Sequence, residues 1–344
     1  MATNMKNPKV SVIMPVFNSM KYLHQAIRSI LDQSFKDFEL IIINDNSTDE
    51  SLDVIRSFSD QRIILINNEK RGTITESRNQ GIAMSRGEFI APLDSDDIAH
   101  KDRLKLEIEF LESHPDVGLV GSHVILINKD GEPTGVKWKE KIPDEKIPIR
   151  LIFSNCFSQS SLLIRKRAIP EGGYIEGTSE DYALWVRMMK NWKAHIMPKA
   201  LLSYRTHGEN TSTTKSALLH QAVNEILRSQ LERIGIEASD EELKLHRMNY
   251  RFSGSDHETK SFINKREHWL LKLREANKEC GPYDAEVFDE VIAERFLTTL
   301  DANSRLGFYN LRIFQQSLIL KKLNWSENCL KILKFVIKCL IRKK

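Results

Sequence analysis

Cysteine is scarce: Cys156, Cys280, Cys329 and Cys339 are the only four in 344 residues, with no CxxC pair and no close spacing. That excludes a disulfide framework and a zinc ribbon, and it favours a reducing compartment. Long apolar runs are missing too. No uncharged stretch reaches the roughly 18 residues that a spanning helix needs. The N-terminus, MATNMKNPKVSVIMP, lacks the apolar segment of a secretory signal. The chain therefore reads as cytoplasmic. Charge of one sign is not in large excess: the formal net charge is +4. So small a balance gives no global field to draw nucleic acid, and no such partner is expected. A GxxxxGK(S/T) loop is absent as well, which excludes an ordinary P-loop nucleotidase.

What is present is enough apolar content, 41%, for a core, and a length suited to one large or two ordinary domains. The first half alternates strand and helix patterns. KVSVIMP (9–15) is a β-branched run stopped by Pro15, and YLHQAIRSILDQ (22–33) has helical spacing. FELIIIN (38–44) is almost continuously apolar, as a strand covered on both faces would be. A helical run follows in 46–58, with Ser47, Thr48 and Asp49 as cap candidates. RIILIN (62–67) and EFIAPL (88–93) are strands around a helix at 73–85, and Asp102 can cap a helix at 103–113. VGLVGSHVILIN (117–128) is further strand. This alternation predicts an α/β fold with an open, mostly parallel sheet flanked by helices. Ligands of such sheets sit beyond the carboxyl ends of the strands. Three polar groups fall at those ends, Pro15 to Asn18, Asn44 to Ser47 and Asp94 to Asp97, and they should converge on one edge.

Asp94, Asp96 and Asp97 crowd together in LDSDD, directly after an apolar strand. Carboxylates so close repel unless a cation or strong donors neutralise them. Hard oxygen ligands suit Mg²⁺ or Mn²⁺, with substrate phosphates completing the shell. A solvated turn with a helix cap is the plainer explanation of the cluster taken alone. An EF-hand fails, because the sixth loop position lacks Gly and the twelfth lacks Glu.

With these pieces placed, the chain resembles the family 2 glycosyltransferases, the inverting group with the GT-A (Rossmann-like) fold, of bacterial surface-polysaccharide type. The matching stretches are VSVIMPVFN (10–18), IIINDNSTD (41–49), SRNQGI (77–82), GEFIAPLDSDD (87–97), SEDYALWVRM (179–188) and YRTHGENTS (204–212). They occur in the family's order over about the first 215 residues. The resemblance implies a nucleotide-sugar donor, UDP-linked, whose base meets Pro15 and Phe17. Asp45 would accept from the imide N–H of uracil or thymine, a donor that an ionised carboxylate matches; its plainer role is an Asx turn. Arg78 would lie near base or diphosphate, unless it is a solvated helix arginine. Asp96 is the foremost Mn²⁺ or Mg²⁺ ligand, with Asp94 at the ribose or a metal-bound water. Asp97 is either a third ligand or a fixer of the loop backbone. Glu180 and Asp181 look like the family's acidic pair: Asp181 the general base on the acceptor hydroxyl and Glu180 its positioner. Read alone, the pair is helix N-terminal charge. His207 would reach the diphosphate or metal, or else solvent. Tyr182 and Trp185 suit core packing, with a sugar-stacking platform as the other option.

The sequence departs from the family at Lys101, where relatives carry proline, and at Pro92, where a polar residue is usual. The QxxRW signature of processive synthases is missing, so transfer of a single sugar is expected. The resemblance points to a saccharide or glycolipid acceptor. A catalytically silent sugar-nucleotide module and a two-carboxylate glycoside hydrolase are the competing classes.

Three regions are expected: a catalytic GT-A domain at 1–215, a helical extension at 216–325, and a basic amphipathic helix at 326–344. The extension includes ALLHQAVNEILRSQLERIG, ended by Gly235. In the last region Lys331, Lys334, Lys338 and Arg342 recur at helical steps beside an apolar face. That pattern suits a helix at an anionic membrane surface, peripheral on the inner face of the cytoplasmic membrane, or a helix packed in a core or dimer.

Overall fold

The computed structural model describes residues 7–177, 179–207, 216–247 and 253–341. The chain divides into two compact units, Met1–Ile147 with Cys156–Ala222, and Pro148–Asn155 with Val223–Lys344. The first unit thus runs to Ala222, and the short segment 148–155 clusters with the second.

In the first unit β1 (Val10–Val16), β2 (Phe38–Asn44), β3 (Ile63–Asn67) and β4 (Phe89–Pro92) lie in the order β3-β2-β1-β4, all parallel. Every residue of β1 and β2 is buried, which is why their sequences do not alternate. The helices α1 (Met20–Leu31), α2 (Ser51–Arg56), α3 (Ile74–Met84) and α4 (Arg103–Ser113) fill the crossovers. Strand β1 runs through Pro15 instead of stopping there. The Ile13 carbonyl accepts from Leu93 N–H on the β4 side. By alternation Pro15 faces that side too, past the last β1–β4 pair, so its missing N–H costs no ladder bond.

Beyond β4 the sheet continues through β8 (Leu162–Arg165), β6 (Val117–Ile127), β9 (Lys193–Arg205) and β5 (Ile98–Ala99), with β7 (Pro133–Trp138) also on β6. Here pairing is mixed: β6 is antiparallel to β7 and β8 but parallel to β9. The parallel order expected from the alternating pattern thus holds for the first half of the sheet, and the second half adds antiparallel strands. The register of β9 on β6 shifts between Met197 and Ala200, where Pro198 and Lys199 bulge out. That interruption hides β9 in the sequence.

Local details also differ. Asp49 Oδ1 accepts from Ser51 N–H at 3.0 Å, at the first residue of α2, whereas Ser47 and Thr48 do not cap this helix, whose N-cap position is Glu50. All three tie the loop after β2 to the loop after β1. Asp102 holds the N-cap position of α4 but makes no side-chain cap. Thr73 and Glu76 form a full capping box on α3. Gly87 is required by close approach: a Cβ there would lie 2.5 Å from Ser11 N and 2.7 Å from Val10 C. Tyr182 and Trp185, on α6 (Glu180–Met188), are buried in the core; α5 is the single turn Ile147–Arg150.

The second unit is helical: α7 (Ser216–Glu232) enters it, followed by α8 (Asp240–Arg247), α9 (Asp256–Cys280), α10 (Ala285–Ala302), α11 (Phe308–Gln316) and α12 (Trp325–Ile341). Gly235, at φ +78°, follows α7 as expected. Buried His246 bonds the Ile152 carbonyl through Nε2 at 2.8 Å, and its Nδ1 accepts from the Trp269 indole at 3.2 Å. Burial pushes its pKa down to about 3, so it is a neutral strut pinning segment 148–155.

Candidate functional site

Parallel order sets the carboxyl ends of β1, β2 and β4 side by side, and a cavity of about 790 Å³ opens there. Pro15, Phe17, Asp45, Arg78, Asp94, Asp96, Glu180 and His207 all line it. The convergence expected of the three strand ends is therefore present in the fold. Asp97, Asp181, Tyr182 and Trp185 are not among the lining residues. Of the YRTHGENTS stretch, residues 208–212 lie outside the described residues, as does Thr178.

The loops after β1 and β2 are cross-linked. Asn18 N–H donates to Ser47 Oγ at 3.1 Å, Thr48 N–H to Asn18 Oδ1 at 2.8 Å, and Met20 N–H to Asp49 Oδ2 at 3.1 Å. Asn18 (φ 48°), Asn46 (φ 57°) and Ser179 (φ 70°) are the only non-glycine residues with positive φ among those described. Asn18 and Ser179 line the cavity, and Asn46 adjoins Asp45. Among the described residues, left-handed non-glycine backbone thus occurs only in or next to the cavity wall.

Asp45 is only 6% exposed. Its backbone N–H donates to the Val16 carbonyl, and its carboxylate accepts from Gly72 N–H and from Asn68 Nδ2, each at 3.1 Å. It is held in place by the segment before α3 rather than by a local Asx turn. The Arg71 guanidinium lies 3.7 Å from the Phe17 ring centroid, a cation–π contact on the cavity wall.

Arg78 is the brace of the site. It lies on α3, its side chain is 9% exposed, and it is no solvated surface arginine. One guanidinium nitrogen donates to Asp94 Oδ1 at 3.0 Å and another to Glu180 Oε1. Burial lowers the Arg78 pKa, but Asp94 and Glu180 more than offset this and the net direction is up, so it is a fixed cation. Burial raises the Glu180 pKa, Arg78 lowers it and Asp181 raises it, for a net increase. Asp181, one residue further on, is half-buried, and its Oδ1 accepts from Tyr182 N–H at 2.7 Å.

In LDSDD the carboxylates part ways. Asp96 Oδ2 meets His207 Nε2 at 2.9 Å, and the His207 ring lies 5.2 Å from that of Tyr22. Burial and then the Asp94 charge push the Asp96 carboxyl above its ordinary range, against the His207 hydrogen bond. Asp97 is buried and turned away from the cavity, its Oδ1 accepting from Arg205 N–H at 2.9 Å. Burial, then Asp96 and Asp94, push its pKa well up. The Arg205 side chain, itself buried, donates to the Asp96 carbonyl at 2.9 Å and to Gln25 Oε1 at 2.7 Å. It clamps the loop from behind.

Asp94, Asp96 and His207 all line the cavity, and its carboxylates are the ligand type that a divalent ion of the Mn²⁺ or Mg²⁺ class takes. The raised Asp96 carboxyl, crowded by the Asp94 charge, is what a cation relieves. Among the described residues no group of three or more His, Cys, Asp and Glu is arranged to hold an ion unaided, so such an ion needs ligands from the substrate. Sequence reasoning missed Arg71, Thr73 and Glu176, which line the cavity, with Thr73 Oγ1 donating to Glu176 Oε2 at 2.9 Å, and Arg205 behind the loop. Arg71 stands at the carboxyl end of β3 and was within reach of the same edge rule. Arg205 stood in a matched stretch but carried no local sign of its role.

A model of the family described as "Glycosyl transferase family 2" matches residues 11–171. The O-antigen biosynthesis glycosyltransferase WbnJ of Escherichia coli is 35% identical over 219 residues, covering 61% of this chain and 84% of WbnJ. The UDP-Glc:alpha-D-GlcNAc-diphosphoundecaprenol beta-1,3-glucosyltransferase WfaP of Escherichia coli is 30% identical over 230 residues, 67% of this chain and 88% of WfaP. Among solved structures, the mannosyltransferase PcManGT from Pyrobaculum calidifontis, in complex with GDP-Man and Mn²⁺, shares the fold. Its TM-score is 0.51 at 14% identity, covering 99% of this chain and 89% of that one.

Proposed function

The chain belongs to glycosyl transferase family 2 and has the GT-A fold, and from that premise we propose an inverting enzyme moving one sugar from a UDP-linked donor to an acceptor hydroxyl. The observation that carries the proposal is Arg78, which ties Asp94 at the end of β4 to Glu180 at the start of α6 across one cavity. One cation thereby couples a donor-side acidic cluster to an acceptor-side acidic pair.

In this reading Pro15 and Phe17 face the base, and Asp45 accepts from its imide N–H with a carboxylate already oriented by Gly72. Arg71, on the same wall, stands where an anionic donor would need a cation. Asp94 and Asp96, with His207 beside them, would hold Mn²⁺ or Mg²⁺. When bound, that ion supplies Lewis-acid neutralisation of the leaving diphosphate. Asp97 serves the loop backbone and is the weakest claim on the metal. Glu180, fixed by Arg78, positions the acceptor; Asp181 takes the proton from its hydroxyl as that oxygen attacks the anomeric carbon opposite the nucleotide. The UDP-Glc donor and diphosphoundecaprenol-linked acceptor in the name of WfaP support a UDP-linked donor and a saccharide or lipid-linked acceptor here. The Mn²⁺ in the PcManGT complex supports the metal class. A place on the inner face of the cytoplasmic membrane, held by the basic C-terminal helix, belongs to the same proposal.

The test is a panel of nucleotide sugars assayed with and without Mn²⁺. Metal-dependent turnover of a UDP-sugar is expected; donor binding without turnover would instead make the chain a silent module, and metal-free glycoside cleavage a hydrolase. Asp181→Asn should abolish transfer while sparing donor binding, whereas Asp96→Ala should weaken metal-dependent donor binding. An active Asp181→Asn beside a dead Glu180→Gln would move the base to Glu180.

A further inference from the structure

Helix α12 carries three faces. Asn328, Ile332, Phe335 and Cys339 are buried, with the Phe335 ring 5.5 Å from that of Phe314 in α11. Leu330, Leu333, Ile337, Leu340 and Ile341 are instead 44–73% exposed. At 3.6 residues per turn these five occupy one sector of roughly 100°, and Lys331, Lys334 and Lys338 fill the sector beside it. The apolar surface of this helix is thus split, half docked on its own unit and half left facing outward. Leu318, Lys321 and Lys322, just before the helix, are exposed as well.

Charge decides what fits the outward face. From Ser317 to Lys344 the chain has eight Lys and Arg against the single acid Glu327. That net +7 exceeds the +4 of the whole protein, so the remainder is slightly acidic. Asp301 engages Lys338 at 2.6 Å, while Lys331 and Lys334 stand exposed beside the leucines. A second copy laid on this face would bring two lysine rows together with little to offset them. Anionic headgroups would neutralise the same row while acyl chains take the leucines. Among the described residues no helix is long and apolar enough to cross a membrane.

We infer that α12 binds in the plane of an anionic bilayer without leaving its own unit, inserting Leu330, Leu333, Ile337, Leu340 and Ile341 and setting Lys331 and Lys334 against lipid phosphates. This deepens the membrane part of the proposed function and needs none of its chemistry. Deleting the helix would uncover the seat of Phe335, so point variants of the outward face are the sharper probe.

Full-length protein is floated with vesicles of phosphatidylcholine alone or of phosphatidylcholine mixed with phosphatidylglycerol. Roughly tenfold or stronger preference for the anionic vesicles, weakening as salt is raised, is expected. Leu333→Ser with Ile337→Ser, and separately Lys331→Glu with Lys334→Glu, should each erase that preference with Tm unchanged. Equal binding to both vesicle types, or no binding, overturns the inference. So does a dimer in sedimentation that the same substitutions dissociate, since a second copy would then cover the face. Wild-type protein that floats on anionic vesicles yet turns over no nucleotide sugar would leave this inference standing and remove the transferase chemistry.

Discussion

Replacing Arg78 by Met tests the brace directly. The substitution keeps the volume and removes a guanidinium that is 9% exposed, leaving Glu180 (11% exposed) and Asp94 (33% exposed) without their shared cation. Breaking a buried ion pair by removing one partner costs about 3–5 kcal/mol. Asp94 is open enough for water to replace part of its contact, and Glu180 can take a proton, so we expect about 2–3 kcal/mol. In urea unfolding followed by tryptophan fluorescence this is a midpoint shift of roughly 1 M. The loss should depend on pH. Without Arg78, burial, Asp181 and Asp94 all act to raise the Glu180 pKa above its ordinary 4.5. A raised folded-state pKa means the folded protein holds the proton more tightly. Below about pH 4.5 both states are protonated and no penalty arises. As pH climbs past that value the unfolded chain ionises first, and stability falls until the folded-state pKa is passed. Wild-type Glu180 is itself raised above 4.5, so the gap between variant and wild type should open only once pH passes that wild-type value, and widen until the still higher value of the variant is passed. Arg78→Lys keeps the charge but cannot span two carboxylates, so it should restore part of the stability and little of the transfer rate. An Arg78→Met protein within about 0.5 kcal/mol of wild type at every pH would refute the brace.

Glu107, fully buried beside Arg103 at 3.3 Å, has its pKa pushed up to about 8 by burial, which outweighs the arginine. Wild-type stability should decline between about pH 4.5 and pH 8, by a few kcal/mol at most, while Glu107→Gln stays flat; parallel pH profiles would show that Glu107 is ionised throughout. Gly87→Ala forces a Cβ within 2.5 Å of Ser11 N and should cost about 1–3 kcal/mol in chemical unfolding; a neutral result would mean that β1 shifts freely. Ser179→Gly relieves a left-handed residue at φ 70°, so thermal melting should hold steady or rise by a degree or two. A clear fall in Tm would mean that the serine contributes more than its strain costs.

Much of the site was legible because a parallel sheet obeys a simple rule. Apolar runs at 10–16, 38–44 and 89–92 become adjacent strands, and whatever follows them meets at one edge. That rule alone places Pro15, Phe17, Asp45, Asp94 and Asp96 together, as they stand around the cavity. The rule says nothing of direction. Asp94, Asp96 and Asp97 are near-identical in sequence terms. Only the path of β9 decides that Asp97 turns inward to the Arg205 amide while Asp96 meets His207. Arg78 was ambiguous between surface and site because its partners lie 16 and 102 positions away. The second half of the sheet was harder still, because a bulge at Pro198 breaks β9 and β5 is two residues long.

The sequence by itself determined the alternation of elements, the edge on which polar loops gather, and the basic amphipathic character of the C-terminal helix. Each follows from local periodicity and from the twofold or 3.6-fold repeat of the backbone. Tertiary structure alone decided which carboxylates share a cation, which one is buried behind the loop, and which half of the α12 apolar surface stays uncovered. Those choices depend on contacts between residues far apart in the chain, and no periodicity within one element carries them.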